Sequence, residues 1–210
     1  EYVEGTFAAY KLGAVPINVN YRYVEGELAY LFENADLKGL VFGREFAPRI
    51  ANIVKDAPKL KVFVAVNDGT DEDISVIGAT EYEAALAAAS AVRAFEPRSE
   101  EDLYILYTGG TTGMPKGVMW RQEDIFYSLC GGIDAYTNEK VERPEELSEK
   151  CAAGAGPIVF FPIAPLMHGA GQVSTIRGFI HGDTTVLVRK FDADEAWSIV
   201  DRERVNVLGI

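Results

Sequence analysis

The sequence predicts an α/β protein with parallel-rich sheets and flanking helices. Two observations carry this expectation. Short apolar runs such as Leu40-Val41-Phe42, Val62 to Val66 and PIVFFPI at 157–163 alternate with segments of helical period. A β-α-β-α-β rhythm of this kind places parallel strands beneath helices that pack on them.

In order, Val3, Phe7, Ala8 and Leu12 mark a first helix that ends near Gly13. Ala14 to Val19, AVPINV, reads as a short strand with Pro16 at an edge or bend. Asn18, Asn20 and Arg22 read as polar loop residues. A helix over Val24 to Asn34 carries Leu28, Leu31, Phe32 and Ala35 on one face. Phe46, Ile50, Ile53 and Val54 define the helix between the strands at 40–42 and 62–66, and Pro58 stops it. After the acidic loop Asn67 to Ser75, Thr80 and Glu83 predict a capping box for an alanine-rich helix through Ala89. A charged linker, Glu96 to Asp102, divides an N-terminal α/β segment, 1–95, from a second, 96–210.

The second segment opens on the strand Leu103 to Tyr107. A helix over Arg121 to Leu129 presents Ile125, Phe126 and Leu129, and Gly131-Gly132 stops it. Ile133 to Gly156 is the least patterned stretch, expected to be a surface excursion with a helix from Pro144 to Lys150. Next come the strand at 157–163, a helix Gln172 to Ile180, and a strand Thr184 to Arg189. A helix Ala193 to Arg202, boxed by Asp192 and Glu195, leads to a last strand, Val205 to Ile210. His181 sits at a helix C-terminus, where cations are favoured.

The 210 residues carry 32 acidic against 20 basic side chains, a net charge of -12. That balance argues against nucleic acid, whose binding requires clustered Lys and Arg. No apolar run approaches the ~20 residues of a membrane span, and no secretory leader pattern is seen. Cys130 and Cys151 fit neither a zinc site nor a disulfide framework, and the two histidines lack neighbouring metal ligands. A cytoplasmic protein with reduced thiols and no metal site of its own is expected. The chain opens without Met inside a helical pattern and stops on an apolar run, so it is read as an internal piece of a longer protein.

The chemistry concentrates in Leu103 to Val118, LYILYTGGTTGMPKGV. Thr108 to Gly113 holds only hydroxyls and glycines, and Pro115-Lys116-Gly117 follows before a strand at Val118 to Trp120. Glycine lets a backbone approach a ligand closely, and successive N–H groups in such a turn form an anion nest. Threonine hydroxyls add donors and Lys116 adds charge. The pattern is not a Walker loop: Met114 and Pro115 separate Gly113 from Lys116, Gly117 replaces Ser/Thr, and a strand follows instead of a helix. A plain hairpin would need only a dipeptide such as Asn-Gly.

Tyr107 to Gly117 closely resembles the phosphate-binding signature of the acyl-adenylating superfamily, Y-T-S-G-T-T-G-x-P-K-G. That superfamily includes acyl-CoA synthetases, luciferases and the adenylation domains of peptide synthetases. Gly109 departs from the usual Ser and removes one hydroxyl. LGAVPINVN is similar to the superfamily's early α/β segment and is assigned to core. Pro165 to Gly171 is similar to its P-x-x-H-x-x-G segment, whose His or aromatic borders the acyl-carboxylate pocket. Gly169 and Gly171 are expected to let that helix end approach a ligand.

The resemblance implies part of the large N-terminal domain of an acyl-CoA synthetase-like enzyme. Lys116 and Thr111 would be catalytic. Thr108, Gly109, Gly110, Thr111, Thr112, Gly113 and Lys116 would hold ATP, and His168 the acid. The implied reactants are a carboxylic acid, ATP with Mg2+, and CoA, the last two held mainly by family segments beyond Ile210. The Gly-Gly form, Met114 and the Trp120 segment look most like bacterial enzymes for fatty or steroid side-chain acids. Other readings are an adenylating enzyme with another acyl acceptor, or a non-catalytic nucleotide-binding module. A phosphotransferase is disfavoured, because no D-F-G or H-R-D pattern is present. Residues 1–210 alone are expected to make no acyl-adenylate.

Overall fold

The computed structural model describes residues 1–110, 113–133, 138–154 and 158–209. They form two compact units. One comprises residues 1–99 with 107–118, the other 100–106 with the rest of the chain from Met119.

The first unit runs α1 (Tyr2–Lys11), α2 (Glu25–Asn34), β1 (Gly39–Gly43), α3 (Ala47–Ile53), β2 (Val62–Val66), β3 (Thr80–Glu81) and α4 (Tyr82–Ala88). The sheet order is β1-β2-β3 with parallel pairing, from Gly39 opposite Val62 to Gly43 opposite Val66. Period-two alternation puts Phe42 and Ala65 on one face, where Ala47 and Ile50 of α3 bury against them. Leu28, Leu31 and Phe32 are the buried face of α2, and Glu27 Oε2 accepts from the Val24 amide at 3.0 Å.

Two expectations fail here. AVPINV is not a strand; Ile17 makes only an isolated bridge. Pro16 brings no N–H to a ladder, and the Asn18 side chain does the pairing instead. Thr80 does not cap a helix. It pairs with Val64 as an added parallel strand, and Glu81 occupies the N-cap of α4. A ladder beside β2 satisfies backbone groups that a cap would leave open.

β4 (Leu103–Gly110) and β5 (Gly113–Arg121) pair as a two-stranded ribbon. Its tip, 107–118, belongs to the first unit and its base to the second. The second unit continues α5 (Gln122–Leu129), α6 (Glu145–Ala153), β6 (Val159–Pro162), α7 (Gly169–His181), β7 (Thr184–Thr185), α8 (Ala193–Arg202) and β8 (Val207–Gly209). β6 is central and parallel to both neighbours, with Phe160 opposite Thr185 and Val207. Phe161 is fully buried against Ala196 and Ile199 of α8. Asp192 caps α8 as expected, accepting from the Asp194 and Glu195 amides at 3.0 Å each.

The strand expected at 184–189 stops after Thr185. Val186 and Val188 instead pack on the Phe161 cluster from irregular chain. Leu129 is 47 % exposed, so the apolar face of α5 is narrower than its pattern. The expected surface excursion is partly integrated: Val141 and Leu147 are buried, and Arg143 forks onto both Glu149 oxygens at 2.9 and 2.8 Å. Residues 134–137 and 155–156 of that stretch, and Pro157 of the strand expected after it, lie outside the described residues. His181 is not a solvated C-terminal cation. A Cβ on Gly131, at φ +92°, would fall 2.2 Å from its Nε2. Burial, with Arg177 second, pulls the imidazole below its usual range. No helix among the described residues is long and apolar enough to cross a membrane.

Candidate phosphate site and the histidine segment

The ribbon turns on Tyr107. Its ring is buried, and its hydroxyl donates to Asn34 Oδ1 at 2.6 Å. Its backbone is held by Asn18: Asn18 Nδ2 donates to the Tyr107 carbonyl at 3.0 Å, and the Tyr107 amide donates to Asn18 Oδ1 at 2.7 Å. Asn18 is only 6 % exposed. Leaving either buried backbone group unpaired costs about 1–3 kcal/mol.

Beyond Tyr107 the chain emerges. Thr108 and Gly109 are exposed at the end of β4, and Gly113 and Lys116 are exposed on β5. The Gly/Thr stretch is therefore mostly strand rather than a six-residue loop. Its connection, Thr111-Thr112, lies outside the described residues. Gly113 has φ +152°, a backbone state that L side chains rarely adopt. A Cβ on Gly109 would meet nothing within 4 Å among the described residues, so none of these demands glycine in place of serine. Pro115 is buried and anchors β5, while Lys116 points to solvent with no ion-pair or hydrogen-bond partner among the described residues.

His168 lies in the second unit, at the N-cap of α7. Its amide donates to Pro165 O at 2.9 Å and its carbonyl accepts from Gln172 N at 3.1 Å. The imidazole makes no capping bond and is exposed, so it is neither a cap nor a core histidine. The neighbouring glycines lie in close packing contacts. A Cβ on Gly169 would lie 2.6 Å from Leu106 Cδ2, and one on Gly171 2.4 Å from Ala164 O and 2.5 Å from Pro165 O. Buried Gln172 holds α7 to the ribbon's base, with Oε1 accepting from the Tyr104 hydroxyl at 2.9 Å. Burial pushes that phenol up to about 12.

Asn18 and Gln172 were not singled out by sequence reading as site supports. The available signal was an amide inside an apolar run, since a buried amide must find partners. Among the described residues no group of three or more His, Cys, Asp or Glu could hold a metal ion. The ribbon offers cation, hydroxyl and backbone donors, a set suited to an anion.

A family model described as AMP-binding enzyme matches residues 1–210. The chain belongs to the AMP-binding enzyme family. This AMP-binding chain is 46% identical over 208 residues to the "Medium/long-chain-fatty-acid--CoA/3-oxocholest-4-en-26-oate--CoA ligase" of Mycolicibacterium smegmatis, covering 99% of the chain and 38% of the relative. It is 46% identical over 210 residues to the "3-oxocholest-4-en-26-oate--CoA ligase" of Rhodococcus rhodochrous, covering 100% of the chain and again 38% of the relative. Among solved structures, ATP-bound MatB from Rhodopseudomonas palustris aligns with a TM-score of 0.70 at 24% identity, over 96% of this chain and 35% of that one. The last likeness speaks to fold. The AMP-binding chain thus spans little more than a third of the curated relatives it matches.

Proposed function

We propose that the full-length protein activates a carboxylic acid with ATP, forming an acyl-adenylate and releasing pyrophosphate, and then passes the acyl group to CoA. The observation that carries this reading is Lys116, an exposed cation without a partner among the described residues, on the glycine- and threonine-rich ribbon of a chain with net charge -12. The barrier to the first step is mostly charge, because a carboxylate must reach the α-phosphorus of a polyanion. Positioned donors lower it electrostatically. Lys116 and Thr111 are assigned to the charge that develops there. Thr108, Gly109, Gly110, Thr112 and Gly113 are assigned to the phosphates, and His168 to the acid.

The 46% identical ligases support a fatty or steroid side-chain acid as substrate. Mg2+ is assigned mainly to the ATP phosphates and to family segments outside 1–210, as is most of the CoA contact. The reading places the reaction in the cytoplasm, where ATP and CoA are both available.

The test is carboxylate-dependent ATP–pyrophosphate exchange by the full-length protein over a panel of fatty and steroid acids. Exchange that depends on one of these acids is expected. ATP binding without exchange on any acid would move the assignment to a non-catalytic nucleotide module. Residues 1–210 alone, assayed beside it, are expected to give no exchange, because catalytic groups acting as a unit do not contribute additively.

His168→Ala should raise the KM for the acid or lower turnover while ATP affinity stays constant. Its exposed imidazole makes no bond that the fold needs, so the melting temperature should hold. Unchanged kinetics would remove His168 from the acid site.

A further inference from the structure

We propose that Asn18 is a positioning residue that sets the backbone of the phosphate-binding ribbon for adenylation. The inference rests on the reading of Thr108 to Lys116 as the ATP phosphate site. A single side-chain amide, 89 residues away in sequence, takes both backbone groups of Tyr107. Tyr107 is the last buried residue before the exposed Thr108 and Gly109. Its Cα is therefore about 3.8 Å from that of the first phosphate-facing residue.

A glycine-rich backbone has the most conformational freedom of any sequence, and among the described residues a Cβ on Gly109 would meet nothing within 4 Å. Besides the pairing of β4 with β5, the restraint comes from the point of emergence. The Asn18 clamp fixes the main chain there, and the Tyr107 hydroxyl on Asn34 fixes the ring. An apolar side chain at position 18 would satisfy burial; only a group with donor and acceptor side by side completes the Tyr107 pairing. A displacement of about 1 Å in groups that meet a transition state can cost about a hundredfold in rate. That is the sensitivity through which Asn18 acts.

The experiment uses the full-length protein with Asn18→Ala, Asn18→Asp and Lys116→Ala in parallel. Two half-reactions are followed: acid-dependent pyrophosphate exchange, and thioester formation from supplied acyl-adenylate. Asn18→Ala is expected to lower the adenylation kcat by roughly 10- to 100-fold. The KM for the acid and the thioester step should stay within about twofold, well below that sensitivity. Asn18→Asp keeps an acceptor for the Tyr107 amide, but only its protonated form can also donate to the Tyr107 carbonyl. Its adenylation rate, relative to wild type at each pH, should therefore recover as pH falls. If Asn18→Ala does not accumulate as folded protein, the Asp profile decides.

Equal losses in both half-reactions, unchanged adenylation, or an Asp profile parallel to wild type would each overturn the positioning role. A selective loss in Lys116→Ala with none in the Asn18 variants overturns this inference alone. No selective loss in Lys116→Ala overturns the phosphate reading beneath it as well.

Discussion

Lys116→Ala in the full-length protein is expected to cut adenylation by about a hundredfold or more while leaving thioester formation from supplied acyl-adenylate nearly intact. Removing one positioned donor to developing charge commonly costs about 3 kcal/mol. The structure makes the loss readable as catalysis. Lys116 is exposed and has no partner among the described residues, so its removal strands no carboxylate and opens no cavity. A lone cation in bulk water would be worth only about 1 kcal/mol at 4 Å from an anion. A hundredfold effect therefore requires that the ribbon be shielded from water when nucleotide is bound. Pyrophosphate exchange and single-turnover thioester formation measure the two steps separately. Equal losses in both would detach Lys116 from phosphate.

Gly171→Ala is expected to lower the melting temperature of the full-length protein markedly, whereas the same change at Gly5 raises it or leaves it unchanged. Both glycines sit in helices, α7 and α1, where alanine is intrinsically better by up to about 1 kcal/mol. At Gly5 a Cβ would meet nothing within 4 Å. At Gly171 it would fall 2.4 and 2.5 Å from two backbone carbonyl oxygens, which no rotamer change can move aside. Overpacking of this kind costs about 1–3 kcal/mol or more, and backbone contacts belong at the upper end. The steric term outweighs the propensity term. Because the turn at Ala164-Pro165 holds the N-terminus of α7, the same variant should disturb His168 and raise the KM for the acid. Thermal melts of the two variants beside wild type check the pair; a Gly171→Ala protein that melts at or above wild type would show that the close approach is wrong.

Much of the fold was legible because its signals are local. The helix at Val24–Asn34 rests on Leu28, Leu31 and Phe32 at helical spacing, and the strand at Val62 to Val66 on an unbroken apolar run rich in valine. Asp192 announced α8 because an N-cap carboxylate needs partners only two and three residues away. The stretch proposed for phosphate stood out for a different reason: the residue types that such a ligand's chemistry would need appear contiguously.

The sequence by itself determined the α/β alternation, the place of the helices and the stretch from Tyr107 to Gly117 that is proposed to meet an anion. Tertiary structure decided where a residue's partner lies far along the chain. Asn18 looked like a loop residue until its amide was paired with Tyr107, 89 positions on. Thr80 became a strand through Val64, and His181 packs over Gly131, where burial pulls its imidazole below the usual range. Gly169 and Gly171 admit Leu106 and two backbone carbonyls at close range. Desolvation, ladder hydrogen bonds and steric contact all depend on what the fold brings alongside, and no local pattern encodes that neighbour.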